Sequence, residues 1–454
     1  MPSRPYAPPP PSLWSEGARR AGATVAVLVV AAIGFGAGYL VFSGDDGSAA
    51  PGPGPVVVVE GGPSGSSDEQ RNSAEQIGFP AFATRNTTRV GGADPTADAA
   101  GVALASYPSL GGVGGPQAAI LAPAGSWQDA LAATPLTADP VDAPILLGEP
   151  GSTPQITSDA LTALSPKGLE KEDGAQLIAV GGVAVPDGLD AVELDETDPA
   201  ALAGGIDAER ARLSGEEDPA HLLVVSSADA ASAMPAAAWA ARSGDPILFA
   251  DGDDVPKATL EVVERHPKTP IYVLGPEAAV SAKAVDTLGR AGDVKVKRVG
   301  ADDPVDNAIA FARYVDGDFG WNINDPGHGF VLANADRPLD AAIAAPLSAG
   351  GMPGPLLLTD DAETIPESLQ GFFSDTEPGY VDDPTRAVYN HVWVIGDASA
   401  ISVSFQSQVD ALTKLARVSS GAGEPAFAPA GGGGSGSQGE DEAPPPKAGR
   451  GGPQ

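Results

Sequence analysis

Three aspartates recur in one phrase, each at a position where a carboxylate can do chemistry. Asp129 opens Asp129-Ala130-Leu131-Ala132-Ala133-Thr134-Pro135, Asp229 opens Asp229-Ala230-Ala231-Ser232-Ala233-Met234-Pro235, and Asp340 opens Asp340-Ala341-Ala342-Ile343-Ala344-Ala345-Pro346. Each follows a short apolar run that reads as a strand and begins an alanine-rich run that reads as a helix. At the carboxyl end of an open α/β sheet such a carboxylate meets a ligand. At a helix start it caps free N–H groups and answers the helix dipole. Both readings stand. Arg89 and Arg298, with Arg85, Lys295 and Lys297 nearby, are the second candidates. A guanidinium matches phosphate geometry, although in an acid-rich chain it also serves salt bridges. Gly181-Gly182 is the third candidate, as a backbone nest for an anion or as a tight strand-to-helix turn. Only its first glycine recurs, as Gly275 and Gly396.

Other chemistry is poorly provided for. The chain has no cysteine, which removes disulfides, thiolate metal sites and a thiol nucleophile. Its four histidines, His221, His266, His328 and His391, share no register, and no Walker loop, nucleophile elbow or zinc-protease pattern occurs. Asp251-Gly252-Asp253-Asp254 and Asp360-Asp361-Ala362-Glu363 offer oxygens that suit calcium, but the first does not continue as a complete calcium loop, and a solvated turn is expected. A non-catalytic protein without metal or cofactor is the expectation. Asp and Glu number 60 against 26 Lys and Arg, a formal charge of −34. That excludes nucleic acid as a partner, because phosphate binding needs a basic face.

The elements that must hold these residues form a module written three times. Asp94-Pro95, Asp198-Pro199 and Asp303-Pro304 open the modules, with Arg89-Val90-Gly91 and Asp98-Ala99 matched by Arg298-Val299-Gly300 and Asn307-Ala308; the second has Glu193 for the arginine. Next come Pro144-Ile145-Leu146-Leu147, Pro246-Ile247-Leu248-Phe249 and Pro355-Leu356-Leu357-Leu358. Helix-start prolines follow at 154, 256 and 366, then apolar runs ending on Gly181, Gly275 and Gly396. Apolar runs without polar alternation read as strands buried on both faces, and alternation with helices gives a parallel sheet between helices. The fold class is therefore α/β, with three tandem Rossmann-like modules at 78–190, 191–297 and 298–417.

Ala21 to Phe42 is a run of 22 uncharged residues. As a helix it spans roughly 33 Å, the thickness of a bilayer core. Arg19 and Arg20 precede it and Asp45 and Asp46 follow, so residues 1–20 are expected in the cytoplasm and the rest outside. Its length favours an uncleaved anchor over a signal peptide. Residues 43–77 read as a flexible spacer, and the Gly-, Pro- and acid-rich 418–454 as a disordered tail.

Gly125-Ser126-Trp127-Gln128-Asp129-Ala130-Leu131-Ala132-Ala133 with Pro135-Leu136, Ala143-Pro144-Ile145-Leu146-Leu147, Val180-Gly181-Gly182 and Arg89-Val90-Gly91-Gly92-Ala93-Asp94 together resemble the cell wall-binding repeat type 2 family of Gram-positive surface proteins. The resemblance runs over residues 78–417. It implies three modules around a pseudo-threefold axis, holding a surface protein noncovalently to the anionic secondary polymer of the wall. Arg89, Arg298, Asp129, Asp229, Asp340, Gly181 and Gly182 are then the polymer-binding candidates. The chain departs from the family where Pro95-Thr96 and Pro304-Val305 replace the usual Arg-Tyr. The expected protein is membrane-anchored and wall-binding. The alternative is a non-catalytic scaffold for a protein partner in envelope assembly.

Overall fold

The computed structural model describes residues 82–417, except 93, 108–114, 217 and 351. The expected tail 1–20, transmembrane helix 21–42, spacer 43–77 and disordered tail 418–454 lie outside the described residues. Among the described residues, no helix is long and apolar enough to cross a membrane.

The chain begins with β1 (Phe82–Ala83), β2 (Thr87–Val90) and helix α1 (Pro95–Ser106). A first group follows: β3 (Ala119–Pro123), α2 (Trp127–Ala132), β4 (Ile145–Gly148), α3 (Gln155–Leu164), β5 (Leu177–Val180) and β6 (Ala191–Leu194). A second group has α4 (Pro199–Ser214), β7 (Leu222–Ser226), α5 (Ala230–Ala233), α6 (Ala236–Ser243), β8 (Ile247–Ala250), α7 (Lys257–Arg265), β9 (Ile271–Leu274), α8 (Ala282–Gly292) and β10 (Lys297–Val299). The third has α9 (Pro304–Arg313), β11 (Gly329–Asn334), α10 (Pro338–Ile343), α11 (Pro346–Ala349), β12 (Leu356–Thr359), α12 (Glu367–Asp375), β13 (Gly379–Tyr380), β14 (His391–Ile395), α13 (Val403–Leu412) and β15 (Ala416–Arg417).

Three parallel sheets result, in the orders β4-β3-β5-β6, β8-β7-β9-β10 and β12-β11-β14-β2; β1 adds antiparallel to the edge of the third. The central strands β3, β7 and β11 are buried along their whole length. This is the burial that apolar runs without alternation imply for a sheet covered by helices. Local chemistry starts the helix that follows each Asp-Pro pair. Asp94 accepts from Thr96 N and Ala97 N at 2.9 and 3.0 Å, Asp198 from Ala201 N at 2.9 Å, and Asp303 from Val305 N and Asp306 N at 2.9 and 3.1 Å. The proline after each has no N–H to orphan. Pro154, Pro256 and Pro366 directly precede α3, α7 and α12. Pro135, Pro235 and Pro346 break the aspartate-bearing helices, as expected from a ring that cannot donate. The pieces after these breaks, a 3-10 turn at 134–137, α6 and α11, pack on one another in sequence through alanine-rich faces.

The opening strand of each repeat lies in the sheet of the repeat before it. β6 completes the first sheet and β10 the second, while the helix after each moves on: α4 covers β8 and α9 covers β12. β2 obeys the same rule by joining β14 of the third sheet, and α1 then covers β4 of the first. The start of the described chain is thereby woven into its end.

Candidate functional site

In each sheet the chain moves from the first strand to one side and returns to the other. That makes a switch point between β3 and β5, between β7 and β9, and between β11 and β14. Crevices at the carboxyl ends of such strand pairs are where open α/β sheets bind ligands. Asp129, Asp229 and Asp340 all follow the first strand of the pair, and Gly181, Gly275 and Gly396 end the second. Every sequence candidate therefore stands at or beside a switch point, but the three points are chemically different.

At the third, Arg89 reaches in from β2 and is only 3% exposed. Its Nη1 donates to Gly396 O at 2.8 Å and Asp397 O at 2.7 Å, its Nη2 to Ile401 O at 2.6 Å, and its Nε to Gln406 Oε1 at 3.0 Å. The guanidinium is a clasp for the turn after β14. A further, longer contact from Nη2 to Ser402 O at 3.5 Å directs the fifth N–H to protein oxygen as well. Asp340 is fully buried and pairs with Arg337, whose Nε lies 2.6 Å from Asp340 Oδ2 and whose Nη2 bonds Asp98. Asp98 is fully buried too, and also accepts from Gly92 N. Burial, and then the neighbouring Asp340 carboxylate, push the Asp98 carboxyl up to about 8, against the pull of Arg337 and the Gly92 N–H.

At the second, Arg298 repeats the clasp, donating from Nη1 to Gly275 O at 2.8 Å and Pro276 O at 3.0 Å, and from Nη2 to Val280 O. Asp229 caps α5, accepting from Ser232 N at 3.3 Å. Asn307 stands at the register of Asp98; its Nδ2 donates to Ser232 O at 3.0 Å and its Oδ1 accepts from Ala301 N at 3.3 Å.

The first switch point lacks a clasp. Glu193, on β6 at the register of the two arginines, points to solvent. Gly181 and Gly182 hold φ of 63° and 71°, which favours glycine at both. A side chain at Gly181 would set its first carbon 3.0 Å from Asp129 Oδ2, whereas one at Gly182 would meet nothing within 4 Å. Asp129 is nearly buried and does not cap its helix; Ser126 does, accepting from Asp129 N at 3.3 Å. Asp129 Oδ1 is buried with no hydrogen-bond partner, and burial raises its carboxyl above the usual range.

The basic residues near the arginines are dispersed: Lys297 pairs with Asp316 across the face of Tyr272, and Arg85 and Lys295 are exposed. The acidic loops act as turns, with Asp361 accepting from Glu363 N and Thr364 N at 2.7 and 3.0 Å and Asp253 held by Ser281 and Lys283. Sequence reasoning missed Arg337. Its only signal was its place before Pro338 at the start of α10.

No curated protein matches the chain. Its fold is similar to Cwp6 from Clostridium difficile, with TM-score 0.54 and 18% identity over 72% of this chain and 48% of that one. It is also similar to Cwp8 from Clostridium difficile, with TM-score 0.54 and 19% identity over 73% of this chain and 52% of that one. The chain thus spans about half the length of those structures. The family model for cell wall binding domain 2 (CWB2) matches residues 200–285, which run from α4 through the second switch point into α8. The chain carries a cell wall binding domain 2 module.

Proposed function

We propose that residues 82–417 form a noncovalent wall-attachment unit without catalysis: three modules around a pseudo-threefold axis that bind the anionic secondary polymer of the cell wall. The observation that carries this reading is the CWB2 match over the second switch point, together with the same strand order in the other two sheets. Among the named candidates, polymer contact falls to the unclasped turn Gly181-Gly182, because Arg89 and Arg298 are committed to carbonyls. A chain of charge −34 repels an anionic polymer within a Debye length of roughly 8 Å, so backbone N–H groups and bridging divalent cations are the suitable contacts. The apolar run 21–42 anchors this unit to the membrane from outside.

Cosedimentation with cell walls, before and after extraction of secondary polymers, tests the proposal. Binding that disappears on extraction and weakens with chelator is the expected result. No binding to either preparation overturns it. One observation favours a second reading, a scaffold for an envelope protein: the apolar side chains of Met352, Val381, Val388 and Tyr389 are exposed on the third group. Binding that survives polymer extraction and is abolished by protease treatment of the walls supports that reading.

A further inference from the structure

We propose that Asp98, Asp340 and Arg337 form a proton-dependent latch: a proton held between the two carboxyls keeps α1 fastened to α10, and its loss loosens the β2–α1 segment that closes the chain on itself.

The argument begins with a charge count. Asp98 and Asp340 are each 0% exposed and meet at the same side chain. One guanidinium, Arg337, serves both. With both acids ionised the cluster would hold a net negative charge away from water, a state that desolvation disfavours. A shared proton removes it. The elements packed on α1 and α10 bring two further cations, Arg89 on β2 and Arg242 on α6, the latter over the rings of Trp239 and Trp321, against three further acids, Asp397, Asp129 on α2 and Asp159 on α3, so the excess of negative charge stays. From β2, Arg89 faces the pair with its donors already on carbonyls, and from the turn after β14 Asp397 adds negative charge. From α3 the acid is Asp159, which is exposed and bonded to Gln155, and α11 carries no titratable group. The Gly92 N–H favours the ionised form of Asp98, but burial and Asp340 outweigh it and leave the carboxyl at about 8. Asp340 is raised in the same direction by burial.

The molecule contains its own control. The junction between the second and third groups uses Asn307 at the register of Asp98, joining the same elements with a side chain that does not titrate. The junction that closes the described chain has an acid pair in that place instead.

The sign follows from linkage. The closed state keeps a proton that an opened, hydrated Asp98 gives up near its ordinary value of about 4. The closed-to-open ratio is therefore highest at acid pH. It falls by up to tenfold per pH unit as pH rises toward about 8, then levels off.

Hydrogen exchange of the full-length chain at about pH 6 and about pH 9, corrected for the intrinsic rate, reads the latch directly. Residues 87–92 and 95–106 should lose protection at the higher pH by at least tenfold more than β7 and β9 do. Asp98→Asn should abolish that difference. Infrared spectra of the wild type near neutral pH should show a protonated-carboxyl C=O band that disappears on raising the pH, a readout that holds even if the variant fails to fold. Absence of that band, or a pH-dependent loss of protection that persists in Asp98→Asn, would overturn the proposal.

Discussion

Arg89 and Arg298 sit opposite Val394 and Val273, two residues before Gly396 and Gly275, and make matching bonds to the carbonyls after each glycine. Replacing Arg89 by Met leaves several buried carbonyls without donors, and each unsatisfied group costs about 1–3 kcal/mol. We expect about 3 kcal/mol lost from urea unfolding for Arg89→Met, and about 1–2 for the more exposed Arg298→Met. Lys at position 89 should recover little, because one ammonium cannot span the fork's acceptors. An unfolding midpoint unchanged in Arg89→Met would show that the clasp is dispensable. The recurrence of these arginines was legible in the sequence. Their role was not, because a guanidinium meant for phosphate and one meant for carbonyls look alike. The deciding acceptor, Gly396 O, lies 307 residues from Arg89. The three aspartates make the same point: one phrase contains an orphaned acid at 129, a cap at 229 and half of a proton-sharing pair at 340.

At the level of elements, apolar runs and turn residues carried most of the reading. Fully buried strands, Asp-Pro helix starts and helix-breaking prolines depend on interactions within a few residues, so a single sequence records them. Alanine at 94, 198 or 303 should cost about 1 kcal/mol each, measured by thermal unfolding, if these caps matter equally. What the sequence could not record is how one element lies over another. The segment 314–323, from the third group, runs beneath the second sheet. There Phe319 stacks on Tyr272 at 3.6 Å and meets His221 and Trp239 edge-on at 5.2 and 5.0 Å. His221 joins Asp245 at 3.0 Å and Asp318 at 3.2 Å, tying that segment to the start of β7. Nothing in the repeat pattern marks Phe319, since no counterpart occurs in the other modules. Phe319→Ala should cost about 3–5 kcal/mol and expose Trp239 to acrylamide quenching. Quenching unchanged from the wild type would place the anchoring elsewhere in the segment.

Across the whole molecule the three switch points share one strand order and one register, so their chemical inequality can be tested by exchange. Glu193 lies opposite Ala179, two residues before Gly181, as Arg298 does opposite Val273 before Gly275. An arginine at 193 would therefore start from the same backbone position and reach the carbonyls of the Gly181-Gly182 turn. Each clasp bond made to a charged donor is worth about 1.5–3 kcal/mol when buried, and less at this more open site. Glu193→Arg should thus raise stability by about 1 kcal/mol while also moving the formal net charge by two units, from −34 to −32. Two opposed effects on wall binding then separate the possible binding sites. If the polymer is held by general charge, the substitution should tighten binding, because it lowers repulsion. If it is held at the unclasped turn, the new side chain should occupy that turn and weaken binding although the protein is more stable and less acidic. We expect the second outcome, a loss of at least tenfold in cosedimentation with walls. A gain in binding would move the polymer contact away from Gly181-Gly182.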